Sequence, residues 1–257
     1  LNQPEQAAET YRSALRALRH TRDPQTFVDA LNGLAGVYRH KNDCGKAEPL
    51  LSRAILESER NRYMEGKAEA LMISSYCQND MGRALDLAHQ SIQLWQSVNN
   101  KLGTIRAFLV LGEFEMIQNK LAESGESFQS ALRLSRELNV PNQIAESFIN
   151  LGFVEYRKGA WQDSFTFHTQ AEQLIDAEAE PYMMGQIKAG LAENFVESGL
   201  FEAGLDKYRE SLSYYRLTER PETTIGIEWC IGQTHYFEGN YSEALAMLGK
   251  ARAEAAA

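Results

Sequence analysis

Apolar residues recur along the chain at helical spacing. They stand at Phe128, Ala131, Leu132 and Leu134, and again at Ala244, Leu245, Leu248 and Ala251, a pattern that gives a helix one apolar face and leaves the other polar. A longer period lies over the short one. Counting back from Ala244 in steps of 40 reaches Gly204, Ser164, Ser124 and Ala84; one step of 37 reaches Ala47, and a last step of 40 reaches Ala7. Seven residues after these small anchors stand Ala14, Ala54, Ser91, Ala131, Ala171, Ser211 and Ala251. Five residues before them stand Asn2, Asn42, Asn79, Asn119, Gly159, Gly199 and Gly239, the two residue types that best tolerate left-handed backbone. That column predicts a helix C-terminus in every repeat.

Pro24, Pro141, Pro181 and Pro221 lie 23 residues before four of the anchors, where proline ends one helix and opens the next. Twelve residues before the anchors come Ala35, Met72, Gly112, Gly152, Ala192 and Gly232, small in all but one case. The repeating unit is therefore a pair of antiparallel helices: a first one of about 14 residues ending at the Gly/Asn column, a tight turn, and a longer second one. The small columns mark close helix contacts, where a large side chain would overpack by about 1–3 kcal/mol.

The run FINLGFVEYRKGAWQDSFTFHTQA and its relatives at 40-residue steps resemble tetratricopeptide repeats (TPRs) of a longer kind, and the pattern covers essentially the whole chain. Gly152, Gly159 and Ala171, and Gly232, Gly239, Ala244 and Ala251, match the small positions of that family. The resemblance implies an all-α fold: an α-solenoid, a right-handed superhelix of six to seven antiparallel helix pairs. One junction departs from it. Ala54 and Met72 are only 18 residues apart, with SERNRYMEGKAEA between them, and a local change of superhelical twist is expected there.

Composition fits a single solenoid domain over residues 1–254. With 44% hydrophobic residues among 257, the chain can bury a large area as a stack of units without one central core. No apolar run is long enough for a membrane span and no signal peptide opens the sequence, so the expectation is a cytoplasmic protein. Cys44, Cys77 and Cys230 fall in different repeats without a CxxC pair, which reads as three packing residues in a reducing compartment, with no disulfide or metal signature. Asn2 already occupies the helix-end column, so a first helix is expected upstream in a longer protein. Residues 255–257 belong to an alanine tail that is equally native helix or a vector-derived junction.

The formal charge of −9 argues against nucleic acid as a partner. The charge is uneven: residues 1–62 hold 10 Lys/Arg against 8 Asp/Glu, and the remainder 16 against 27. Arg12, Arg16, Arg19 and Arg22 stand at helical spacings and would form a basic stripe, either a solvated face or a dock for an acidic partner. There is no HExxH, GxSxG, P-loop or GxGxxG motif, so no enzyme activity, cofactor or metal is expected. His168 and His235 occupy positions where Tyr11, Phe128 and Tyr208, or Tyr38 and Phe195, stand in other units, and both read as packing residues.

Recognition remains. In arrays of the resembling type, the first helices line a concave groove, and the resemblance points Glu113, Phe153, Glu193 and Gln233 into it. Leu109, Ile149 and Trp229 stand one turn earlier on the same face, and Arg106, Met116, Tyr156, Glu197 and Tyr236 extend the stripe. Asn150 matches the position where similar peptide-binding arrays hold a ligand backbone. A carboxylate clamp built from paired Lys and Asn residues is not matched, since only Asn32 and Asn150 occupy suitable phases. The mixture of aromatic residues and acids suits a peptide or helix with apolar anchors and some positive charge. Three readings stay open: a protein- or peptide-binding scaffold, a ligand-sensing regulatory domain attached to an effector, and a self-assembly module joined through solenoid ends.

Overall fold

Prolines and left-handed asparagines punctuate the helices where the sequence placed them. The computed structural model describes residues 3–18, 23–218 and 221–255, and these residues form helices without strands. Asn2, Arg19, His20 and Arg22, with Ala256 and Ala257, lie outside them. Helical contacts divide the chain into two compact units, Leu1–Leu134 and Ser135–Ala257.

The first unit contains α1 (Gln3–Leu18), α2 (Pro24–His40), α3 (Cys44–Asn61), α4 (Met64–Ser75), α5 (Met81–Ser97), α6 (Lys101–Ile117) and most of α7 (Leu121–Leu138). The second contains α8 (Pro141–Arg157), α9 (Trp161–Glu172), α10 (Pro181–Glu197), α11 (Phe201–Tyr215), α12 (Pro221–Glu238) and α13 (Tyr241–Ala255). Each even-numbered helix pairs with the one that follows it. Even-numbered helices also pack on one another, α2 on α4 and α4 on α6 in the first unit, α8 on α10 in the second. The chain is thus an α-solenoid of stacked helix pairs.

All four prolines open helices, at the starts of α2, α8, α10 and α12. Asn42, Asn119, Gly159, Gly199 and Gly239 have positive φ, which turns the chain between the two helices of a pair. Asn79 does not. The α4 helix stops at Ser75, and Asp80 caps α5 by accepting the Arg83 N–H at 2.8 Å. A second left-handed column, at Arg62, Asn99 and Asn139, closes α3, α5 and α7 and escaped the sequence reading. Nor is the second helix always the longer: α8 and α10 have 17 residues each, against 12 in α9 and 15 in α11. The 37-residue step reflects α4, a first helix of only 12 residues.

The small column of the first helices marks where a large side chain of the second helix presses on it, an aromatic ring at Gly112 and Gly152 and Leu248 at Gly232. A Cβ on Gly112 would fall 2.6 Å from the Phe128 ring, and one on Gly152 would fall 2.5 Å from His168. Serine in the small columns of the second helices adds a tie. Ser91, Ser124 and Ser211 each donate to a carbonyl of the paired first helix, that of Ala68, Gly112 and Gly185 respectively, all at 2.8 Å.

The cysteine expectation is corrected. Cys44, at the start of α3, and Cys77, just after α4, are joined in a disulfide across 33 positions of sequence, leaving Cys230 free. Scattered spacing hid the pair because helices of successive units bring their ends together. The cysteine pattern therefore no longer argues for a reducing compartment. Among the described residues, no helix is long and apolar enough to cross a membrane.

Candidate binding site

The residues expected to line a groove divide between the two units. In the first, α6 carries Arg106, Leu109, Glu113 and Met116. Leu109 is 4% exposed and lies in the core, so it offers no open surface. Arg106 is half-exposed and bound twice by Glu69, at 3.0 and 2.8 Å. Glu113 accepts the Tyr76 hydroxyl at 2.8 Å, while Arg39 sits 4.5 Å from the Tyr76 ring centre. Burial raises the Glu113 pKa against the opposing pull of Tyr76 and Arg39. Met116 lies half-buried one turn further on.

In the second unit the residues come from α8, α10 and α12. Ile149 is 1% exposed and belongs to the core. Asn150 beside it is 8% exposed, and its side chain makes no hydrogen bond among the described residues. Phe153 is half-buried, edge-on to the His168 ring at 5.0 Å. The Tyr156 hydroxyl donates to Glu197 at 3.0 Å. Trp229, Gln233 and Tyr236 stand exposed along one face of α12.

Glu193 is the electrostatic centre of this face. Burial, and then the neighbouring Glu197 carboxylate, push its pKa up to about 7, and among the described residues it has neither hydrogen bond nor ion pair. Tyr156 of α8, Tyr208 of α11 and Cys230 of α12 surround it closely enough that its charge raises their own pKa values, behind burial as the leading cause. Burial with no cation nearby is what holds a carboxyl protonated near neutrality. The side is set up to gain from a positive charge brought by something else.

Sequence phase alone missed Tyr208 and Cys230, which reach Glu193 from a second helix and from an unremarked position of a first helix. The proposed basic stripe also changes. Glu9 takes both Arg16, at 2.7 Å, and Arg12, at 3.3 Å, and Arg12 also donates to the Tyr38 hydroxyl at 2.9 Å, while Arg19 and Arg22 lie outside the described residues. His168 is fully buried as a packing residue, its pKa drawn down to about 4 by desolvation. No group of metal-ligating side chains is assembled among the described residues.

No protein-family model matches the sequence, and no curated protein matches it. Solved structures do. A Rap protein complexed with competence and sporulation factor superposes with a TM-score of 0.79 at 11% identity, over 98% of this chain and 72% of that one. The apo form of RapI gives 0.75 at 13% identity, over 98% and 93%. The signal transduction ATPase (STAND) protein with a tetratricopeptide repeat sensor from Pyrococcus horikoshii gives 0.70 at 14% identity over 98% of this chain, which spans 39% of that protein's length. Such identities define the fold alone. With the helix pairs, they make this a helical-repeat solenoid of TPR-like type.

Proposed function

We propose that this chain is a protein- or peptide-binding repeat domain whose recognition face in the second unit is the line of Asn150, Phe153, Tyr156, Glu193, Glu197, Trp229, Gln233 and Tyr236. The single observation that carries the reading is Glu193: a recessed carboxyl with neither hydrogen bond nor ion pair among the described residues. A carboxyl that burial holds back from ionising gains from a ligand that brings a cation to it, and Asn150 offers an amide free to meet a peptide group. The exposed Trp229 and Tyr236 supply apolar contact of the kind that anchors such segments. The similarity to a Rap protein complexed with competence and sporulation factor supports a bound ligand on this fold.

The test is fluorescence polarisation with short labelled peptides that pair a Lys or Arg with aromatic or branched anchors, scanned against acidic counterparts. The basic set should bind saturably and more tightly as pH rises through about 7, where Glu193 ionises. Trp229→Ala combined with Glu193→Lys should weaken binding by about tenfold or more with circular dichroism unchanged. Undiminished binding by that variant would sink the assignment of this face.

A second reading is that the ligand acts as a signal, the repeats controlling an effector in the same chain. The sensor repeats of the STAND protein favour it, and a saturable thermal shift with a short ligand would separate it from a scaffold that needs a folded partner. Self-assembly rests on exposed Phe237, Tyr241 and Leu245 at α12 and α13. Light scattering that stays monomeric across a concentration series would remove it.

A further inference from the structure

The first unit contains a cavity of about 360 Å³ that none of the recognition residues of the second unit touches. It is lined from α2 by Asp29, Asn32 and Gly36, from α4 by Glu65 and Glu69, and by Tyr63, Trp95 and Arg106 around them. Asp29 and Asn32 are one turn apart on α2, as are Glu65 and Glu69 on α4, so each pair shares a helix face. Three carboxyl groups thus meet one guanidinium. That guanidinium is already committed to Glu69 through two hydrogen bonds, which leaves Asp29 and Glu65 uncompensated.

A second observation points the same way without depending on charge. Asn32 is 4% exposed; its amide nitrogen donates to the Gly66 carbonyl at 2.8 Å, and its carbonyl oxygen is buried without any donor. Nearby, Asp29 accepts the Tyr63 hydroxyl at 2.9 Å. Desolvation raises its pKa against the opposing hydrogen bond from Tyr63, with Asp23 and Glu65 adding to the rise. A lone buried acceptor and two carboxylates without an ion pair, Asp29 exposed and Glu65 half-buried, around an open space are the complement of a compact cation with several N–H donors.

We propose that this cavity binds a primary ammonium group, held by Asp29, Glu65 and the Asn32 carbonyl, with its alkyl chain against Tyr63, Ile73 and Trp95. An ammonium directs three donors at three separate acceptors, whereas a guanidinium is a planar fork that prefers one carboxylate bidentately. The Trp95 face that would stack a guanidinium is already occupied by Arg106, 5.8 Å from the ring centre. Gly36 keeps the floor open: a Cβ there would meet only Ile73, at 4.0 Å. The ammonium can come from a free alkyl amine or from a lysine side chain of a partner, and the chemistry at the cavity is the same. The proposal stands apart from the peptide face of the second unit.

Isothermal titration calorimetry on the intact chain tests it, with pentylamine and cadaverine as free amines and Nα-acetyl-lysine methylamide as the lysine side chain. At least one probe should bind saturably, and its Nε-acetylated or alcohol analogue should not. A tighter lysine probe assigns the site to a partner's lysine; a tighter alkyl amine assigns it to a free ligand. Asp29→Asn with Glu65→Gln should weaken binding by roughly a hundredfold, about tenfold per carboxylate, and the isosteric Glu65→Gln alone by roughly tenfold. Trp229→Ala with Glu193→Lys should leave it unchanged, which keeps this result separate from the peptide reading. No saturable heat with any probe, or the same affinity in the folded Asp29 and Glu65 variants, overturns the proposal.

Discussion

His168 shows how far a single side chain can depart from what its type suggests. It holds the position that Phe128 fills in α7, and its ring packs on Gly152 and Gly190 with no exposure to water. The folded protein therefore keeps the imidazole neutral down to about pH 4, whereas an unfolded one protonates below about 6.5. Since the unfolded state binds more protons between those values, stability falls as pH drops from about 6.5 to about 4. His168→Phe should remove on the order of 3 kcal/mol of that acid sensitivity, read as the urea midpoint against pH for variant and parent. Parallel profiles would mean that the histidine is not buried as described. The repeat column alone identified this residue as packing; its pKa follows only from the ring's surroundings.

Helices in this chain are ended by backbone geometry more than by composition. Gly239 has φ of +90°, and a Cβ there would meet nothing within 4 Å, so the cost of a larger residue is purely conformational. Gly239→Val should destabilise by about 1–3 kcal/mol, clearly more than Glu243→Gln on the exposed side of α13, measured by thermal melts. Equal melting temperatures would contradict a left-handed turn at this point. The same geometry is achieved by Asn42 and Asn119 in the first unit, and by Arg62 without help from residue type. The Gly/Asn column at the ends of the first helices therefore found one set of turns, while Arg62, Asn99 and Asn139, at the ends of the second helices, lie off that column and were missed. Asn79 fails for the converse reason: the residue tolerates left-handed backbone, but α4 ends four residues earlier and the chain turns differently.

At the scale of the whole molecule the feature least visible in sequence is the disulfide. Cys44 and Cys77 close a loop of 33 positions around α3 and α4, and in the chain-entropy picture such a link stabilises by about 3–4 kcal/mol. Reductant, or Cys44→Ala with Cys77→Ala, should lower the stability of the first unit by about that amount in calorimetric scans, while Cys230→Ala should leave that unit unmoved. An unchanged transition in reductant would mean that the two thiols do not cross-link the unit. The uneven charge has a more local meaning than sequence suggests. Glu9 balances the described part of the arginine stripe, and the open electrostatics sit at Glu193 in one unit and at Asp29 and Glu65 in the other.

The sequence by itself determined the helix pairs, their 40-residue period, the prolines that open helices and most of the turns that join them. These are set by local backbone preference and helical phase, which a repeat prints again in every unit. It also placed Phe153, Glu193 and Gln233 at one phase of the first helices and Ile149 and Trp229 one turn earlier on the same face, with Asn150 next to them. Only the tertiary structure decided that Leu109 and Ile149 turn into the core, that Arg106 is spent on Glu69, that Glu193 lacks a partner and that Cys44 meets Cys77. Phase fixes the face of a helix on which a residue lies. Burial, pairing and pKa depend on what the neighbouring helices bring against that face, and those neighbours are tens of residues away along the chain.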